Sequence, residues 1–177
     1  MAVTYLSLQK LTEIADQFLR QEYGVNLDIP VVRNNRLRST LGAFVRVKND
    51  DTGEYEPDII ELSGKLIDYA ADSVIIDVLK HECIHYVLHA KGKRFRDGES
   101  DFENELKRLG VRSNYDNVYF VGITHEYKCT SCNKEMSITT KRAHKVGCFG
   151  YSSRCCRAKL LYLHDKIHDG IGKVTII

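Results

Sequence analysis

The chain has 177 residues, 43% hydrophobic and 28% charged, the profile of a soluble globular protein of one domain plus a small appendage. No apolar run approaches the ~20 residues that span a bilayer, so a membrane partner is not expected. The net charge of +2 is unevenly spread: residues 1–124 carry 16 Lys/Arg against 20 Asp/Glu, residues 125–177 carry 10 against 4, and a basic C-terminal piece points to an acidic partner, nucleic acid being the usual one.

Met1-Ala2-Val3-Thr4-Tyr5 shows no basic segment leading into an apolar one, so export is not expected and a cytoplasmic location is. The six cysteines are then expected to be reduced and used for metal binding or packing.

Leu8, Leu11, Ile14, Ala15, Phe18 and Leu19 recur at three- and four-residue spacing, which predicts an amphipathic helix capped by Ser7 and ended near Gly24. Three segments with β character follow, Ile29 to Arg33, Ala43 to Lys48 and Asp58 to Leu62, separated by turn-formers at Asn34-Asn35 and at Asn49 to Gly53. They read as a small, largely antiparallel sheet. Ser63 can cap a short helix to Tyr69 or Ala70, and a longer helix begins near Asp72 or Ser73.

That longer helix carries His81-Glu82-Cys83-Ile84-His85, an H-E-x-x-H motif. At about 100° per residue, His81 and His85 share one face and can grip one metal ion, while Glu82 lies beside the first histidine without ligating. This is the layout of a zinc hydrolase, in which two imidazoles hold the metal and the carboxylate takes a proton from the attacking water. Val74, Ile75, Ile76, Val78, Leu79, Ile84, Val87 and Leu88 make the helix apolar on much of its circumference, so it is expected to be buried. Buried imidazoles without partners cost about 1–3 kcal/mol each, and a metal satisfies both at once. His89 lies eight residues past His81, about 12 Å along the axis, beyond the reach of the same ion. Cys83 points away from the histidine face and reads as a small packed residue.

A polar loop from Lys93 to Ser100 precedes a helix over Ser100 to Leu109, with Phe102, Leu106 and Leu109 as its stripe and Gly110 as its end. A catalytic zinc takes three protein ligands. No histidine occurs between His89 and His125, so the candidates for the third are Asp97, Glu99 and Glu103.

With these pieces in this order, the chain resembles the SprT-like family of zinc metallopeptidases, relatives of the Spartan-type DNA-dependent proteases. The resemblance rests on the N-terminal helix, Asn35-Arg36-Leu37-Arg38-Ser39-Thr40-Leu41-Gly42, Ile59-Ile60-Glu61-Leu62, Leu79-Lys80-His81-Glu82-Cys83-Ile84-His85-Tyr86, Gly92-Lys93, Asp101-Phe102 and a cysteine-rich tail. It implies an α+β, zincin-like minimal metallopeptidase fold over residues 1–124, with His81 and His85 as zinc ligands, Glu82 as catalytic base and a protein substrate, and it raises an association with DNA or the transcription machinery. Family members usually carry a histidine a few residues before the phenylalanine matching Phe102. Asp97 falls there in this chain, which makes it the expected third ligand, with Glu99 or Glu103 as substitutes.

A strand is expected over Val118 to Ile123, and after it Cys129-Thr130-Ser131-Cys132 is a zinc-ribbon half-site. The second half offers Cys148, Cys155 and Cys156. Adjacent cysteines seldom share one zinc, so the expected ligand set is Cys129, Cys132, Cys148 and Cys156, with Cys155 and His144 as alternatives. Four thiolates would make a closed, structural site, giving residues 125–177 the form of a basic zinc-ribbon-like β subdomain and the chain two zinc ions. Lys128, Lys134, Lys141, Arg142, Lys145, Arg154, Arg157 and Lys159, with Tyr127 and Tyr151, could hold phosphates and stack bases. The competing expectation is therefore a non-enzymatic nucleic-acid-binding module. Lys173 to Ile177 is expected as an edge strand.

Overall fold

The first helix, α1 (Leu8–Tyr23), begins where the Ser7 hydroxyl accepts a hydrogen bond from the Lys10 N–H and ends at Gly24, whose φ of 68° closes it in the left-handed conformation. Both caps stand where the sequence placed them. The computed structural model describes residues 6–113, 120–139 and 151–177, and the chain divides into two compact units, Met1–Val118 and Tyr119–Ile177.

In the first unit, β1 (Val31–Asn34), β2 (Gly42–Lys48) and β3 (Tyr55–Ser63) form a sheet in the order β1-β3-β2. β2 pairs antiparallel with β3, but β1 pairs with it in parallel. The sheet is thus mixed rather than largely antiparallel, because the β2–β3 hairpin returns the chain to the side of β1 in the same direction. β2 is an outer strand, and no strand covers its other edge among the described residues.

Ser63 caps α2 (Gly64–Tyr69) by accepting from the Leu66 N–H. α3 (Asp72–Ala90) and α4 (Ser100–Leu109) follow, the latter stopped by Gly110 at φ 65°. As expected from its composition, α3 is buried, and its buried set includes His81, Glu82 and His85 beside Val74, Leu79, Ile84 and Val87. A single apolar core joins Leu11 and Leu19 of α1, Ile60 and Leu62 of β3, the inner face of α3, and Phe102 and Leu106 of α4.

The second unit is a four-stranded antiparallel sheet in the order β5-β4-β6-β7, made from β4 (Val121–Cys129), β5 (Glu135–Ile138), β6 (Leu160–Asp169) and β7 (Val174–Ile176). β4 runs on to Cys129 rather than stopping near Ile123. His125 and Glu126 interrupt its apolar pattern, yet both are buried, and Tyr127 is the centre of the small core with Met136, Ile138 and Leu160. β7 is the edge strand expected near the C-terminus. No described helix is long and apolar enough to cross a membrane.

Candidate metal centres

One turn of α3 separates His81 from His85, and each ring is fixed through its Nδ1. The His81 Nδ1 donates to the Arg112 carbonyl at 3.1 Å, and the His85 Nδ1 donates to the Phe95 carbonyl. Only an N–H satisfies a carbonyl, so both Nε2 atoms are left with their lone pairs facing outward. Both face the same atom: Asp97 Oδ1 lies 3.2 Å from His81 Nε2 and 3.5 Å from His85 Nε2. Lone pairs and an anionic oxygen at such distances repel unless a proton or a cation lies among them. Donors about 2.0–2.1 Å from a tetrahedral ion stand about 3.3 Å apart, which these separations bracket. The donor set, two imidazoles and a carboxylate, suits zinc or another divalent transition metal.

Phe102 backs this pair. Its ring stacks on His85 at 3.9 Å and 10°, and meets His81 edge-on at 5.0 Å. Burial lowers the His81 pKa, with His85 adding to the effect. At His85 burial also pulls downward, but Asp97, Glu82 and the Phe95 carbonyl outweigh it and raise the pKa.

Glu82 lies one residue from His81 and against β2. Burial pushes its carboxyl up to about 7; Asp97 works in the same direction, while His85 and the Phe44 N–H oppose it. The approach is close enough that a Cβ on Gly42 would stand 2.8 Å from Glu82 Oε1 and 2.9 Å from Val78 Cγ1. A glycine is what lets β2 lie this near to α3. Together these groups open into a cleft of about 820 Å³, lined by Ser39 to Phe44, Arg46, His81, Glu82, His85, Phe95 to Asp97, Arg112 and Ser113.

Of the three carboxylates open as third ligand, Asp97 alone joins the histidines. Glu99 caps α4 and accepts the Arg96 N–H, and Glu103 accepts the Gly98 N–H at 3.0 Å. His89 packs against Phe44 and Phe95 instead of reaching the site. Cys83 is fully buried, and burial pushes its thiol pKa up. The two carbonyls were beyond sequence reasoning, since backbone acceptors carry no residue signature, and Gly42 entered only as the end of a segment behind the family resemblance. Phe102 was visible only as one member of a helix stripe.

The second centre gathers Cys129, Cys132, Cys155 and Cys156, whose sulfurs all lie within 4.8 Å of one another. Cys132 and Cys155 approach to 3.4 Å. Cys148 and His144 lie outside the described residues. The structure brings in both neighbours, Cys155 and Cys156, against the expectation that adjacent cysteines exclude each other. They sit in a tight turn in which the Arg157 N–H donates to the Ser153 carbonyl at 2.9 Å and Arg157 itself takes a φ of 53°, so the chain reverses around the two thiols. Cys129 is fully buried at the end of β4. The Ser153 hydroxyl at 3.2 Å, then backbone N–H groups of the Cys129–Cys132 turn, pull its pKa down, which favours the thiolate form that ligates metal. Four thiol donors in one knot form a group that could hold a metal, compatible with a zinc ribbon.

Comparison with known proteins gives the chain a family. Residues 8–125 match the model of the SprT-like family. The chain is 28% identical over 168 residues to Protein SprT-like of Staphylococcus carnosus, covering 92% of this chain and 97% of the relative. It is 27% identical over 156 residues to Protein SprT-like of Geobacillus kaustophilus, covering 86% and 96%, and 28% identical over 153 residues to that of Oceanobacillus iheyensis, covering 85% and 93%. Comparison with solved structures gave no significant match. With two thirds of its length under the family model and relatives aligned along most of it, the chain belongs to the SprT-like family.

Proposed function

We propose that the protein is a zinc-dependent metallopeptidase whose first unit is a zincin-like catalytic domain, with the metal held by His81, His85 and Asp97. The observation that carries this reading is the convergence of two outward Nε2 atoms on Asp97 Oδ1 directly beside a buried carboxyl, Glu82. Zinc bound there would supply Lewis-acid chemistry, acidifying a water and polarising the scissile carbonyl.

The chain's own groups do the rest. The Glu82 carboxyl, buried one residue from His81 and facing the cleft, is placed to accept a proton from the attacking water and later deliver it to the leaving amine. The outer edge of β2, beside Glu82, can take an extended peptide as a further strand and so place the scissile bond along the cleft. The Arg112 and Phe95 carbonyls keep the imidazoles in the ligating tautomer.

Glu82→Gln tests the proposal. It should leave the zinc content unchanged and reduce peptide cleavage by about 10²–10⁴-fold. Cleavage at the wild-type rate by that variant would remove the mechanism.

A second reading is favoured by the second unit. Lys134, Arg154, Arg157 and Lys159 are exposed in or near the cysteine-bearing turns, and Tyr151 is exposed beside them. They could hold a nucleic-acid backbone and stack a base, which would make the protein a binding module or bring a peptidase to DNA-associated substrates. Proteolysis of a DNA-bound protein separates these. DNA-stimulated cleavage that vanishes in Glu82→Gln supports recruitment, whereas DNA binding with no cleavage by the zinc-loaded protein supports the module.

A further inference from the structure

The cleft is also lined by an arginine that the reaction itself does not use. Gly42, Phe44 and Arg46 alternate onto the face of β2 that meets α3: Gly42 against Glu82, Phe44 against Tyr86 and His89, and Arg46 beyond them. The Arg46 guanidinium lies 4.7 Å from the centre of the Phe95 ring and 5.3 Å from that of Tyr55. Cation–π contacts supply no hydrogen-bond acceptor to a guanidinium's N–H fork. No carboxylate takes that fork among the described residues. Four other arginines of the unit are engaged: Arg20 with Asp16 at 2.9 Å, Arg33 with Asp68 at 2.7 Å, Arg108 with Glu22 at 3.1 Å and Arg112 with Asp77 at 3.7 Å. Arg46 is half-buried and held in place by two rings, yet it is open to the cleft. A fork held in this way matches a carboxylate, which it can grip with two parallel hydrogen bonds.

Resting on the peptidase reading, we propose that Arg46 is a specificity residue that selects substrates carrying an Asp or Glu some distance from the scissile bond. Gly42 marks the position of Glu82, and Arg46 is four residues along the same strand, about 13 Å at 3.3 Å per residue. A peptide laid along β2 therefore brings a side chain three or four residues from the cleaved bond up to the guanidinium. Arg96, on the loop that also carries Asp97, adds positive charge to the same cleft. The cleft also holds carboxylates, but Asp77 pairs with Arg112, Asp97 stands between the histidines and Glu82 is buried, so Arg46 and Arg96 are the cations left to meet an acidic peptide.

The test uses the full-length, zinc-loaded protein and a peptide library from a digested, denatured proteome, with cleavage sites read by mass spectrometry. Wild-type cleavage should be enriched for Asp and Glu three or four residues from the cut. Arg46→Lys should keep that enrichment at reduced size, and Arg46→Glu should replace it with enrichment for Lys and Arg. A merely structural role for Arg46 would change rates without inverting the preference. No acidic enrichment in the wild type, or an unchanged profile in Arg46→Glu, overturns the assignment and leaves the peptidase reading standing.

A binding arm runs without turnover. In the Glu82→Gln protein, a fluorescein-labelled peptide with four acidic residues should bind about tenfold tighter than its Asn/Gln counterpart, and Arg46→Glu should erase the difference. If nothing is cleaved but that difference appears, the peptidase reading fails, and Arg46 is left as a contact for acidic peptides with no part in cleavage specificity. Equal binding of the two peptides overturns the assignment. Arg46-dependent binding of an oligodeoxynucleotide, with no binding of the acidic peptide, would also overturn it and give the cleft to nucleic acid.

Discussion

The two candidate metal centres differ in what surrounds them. His81, His85 and Asp97 are set on a unit with a continuous apolar core that runs through α1, α3, α4 and the sheet. Cys129, Cys132, Cys155 and Cys156 close a unit whose described core is Tyr127 with three partly buried neighbours. That unit leans on polar contacts instead: His125 with Asp165 at 2.7 Å, and a buried Glu126 held by the Thr124 and Ser137 hydroxyls at 2.8 and 2.9 Å and by Lys166 at 3.3 Å. A sheet with so little apolar burial needs a staple, whereas the helical unit does not. The donor sets agree with this division. Three donors leave room for chemistry, while four thiols leave none. A metal would therefore contribute folding energy in one place and reactivity in the other.

The largest effect should come from removing metal altogether. Structural zinc in small thiolate sites contributes apparent free energies of about 10 kcal/mol or more. Chelation is expected to melt the β4–β7 sheet while α1, α3 and α4 remain folded, read residue by residue from amide hydrogen exchange. Cys129→Ser should reproduce the loss and remove one metal per chain, leaving the other on His81 and His85. Equal protection of both units after chelation would erase the distinction.

A smaller effect tests whether the first unit folds around its site without metal. The Glu82 carboxyl has its pKa raised from 4.5 to about 7, so the folded state takes up a proton that the unfolded state has lost. Its contribution to stability is present near pH 4.5 and is lost as pH rises through 7, a change of about 3 kcal/mol at most. Metal-free wild type should therefore lose more stability than Glu82→Gln between pH 5 and pH 8 in urea unfolding. Parallel slopes in the two proteins would mean that Glu82 is solvated when the metal is absent, and that the unit is not preorganised.

Gly42→Ala probes the same preorganisation by sterics. A Cβ placed 2.8 Å from Glu82 Oε1 and 2.9 Å from Val78 Cγ1 has to displace those side chains or push β2 away from α3. Overpacking of this kind costs about 1–3 kcal/mol. Thermal unfolding should show that loss with two metals still bound per chain, since no ligand is touched. Loss of metal from the histidine site would mean that β2 also supports the ligands.

How far the sequence could be read follows from the same contrast. Ser7, Gly24, Ser63 and Gly110 each act through their own chemistry, and each terminates its helix as expected. The histidine pair was legible because a four-residue helical spacing is itself a geometry, and Asp97 stood where the family resemblance pointed. What escaped was whatever depends on distant backbone: the Arg112 and Phe95 carbonyls, the parallel β1–β3 pairing, and the turn that admits both Cys155 and Cys156. β4 was underestimated because His125 and Glu126 look like solvent-facing residues, and only their cross-strand partners explain their burial.

The finest test concerns the ring behind the ligands. Phe102 is fully buried and lies nearly parallel to His85 at 3.9 Å, so it limits how far that imidazole can turn away from Asp97. Phe102→Leu keeps an apolar side chain in the core but removes the flat face. Groups that orient a ligand are worth about 10–100-fold in metal affinity. Loss of a flat contact, with both Nδ1 bonds kept, should fall near the lower bound, about tenfold. Competition with a chelating dye resolves the two sites: the histidine site should weaken by that factor and the cysteine site should be unchanged. Weakening at both would trace the effect to general destabilisation. No change at either would leave the two carbonyls as the sole restraint on the imidazoles and would remove Phe102 from the machinery of the site.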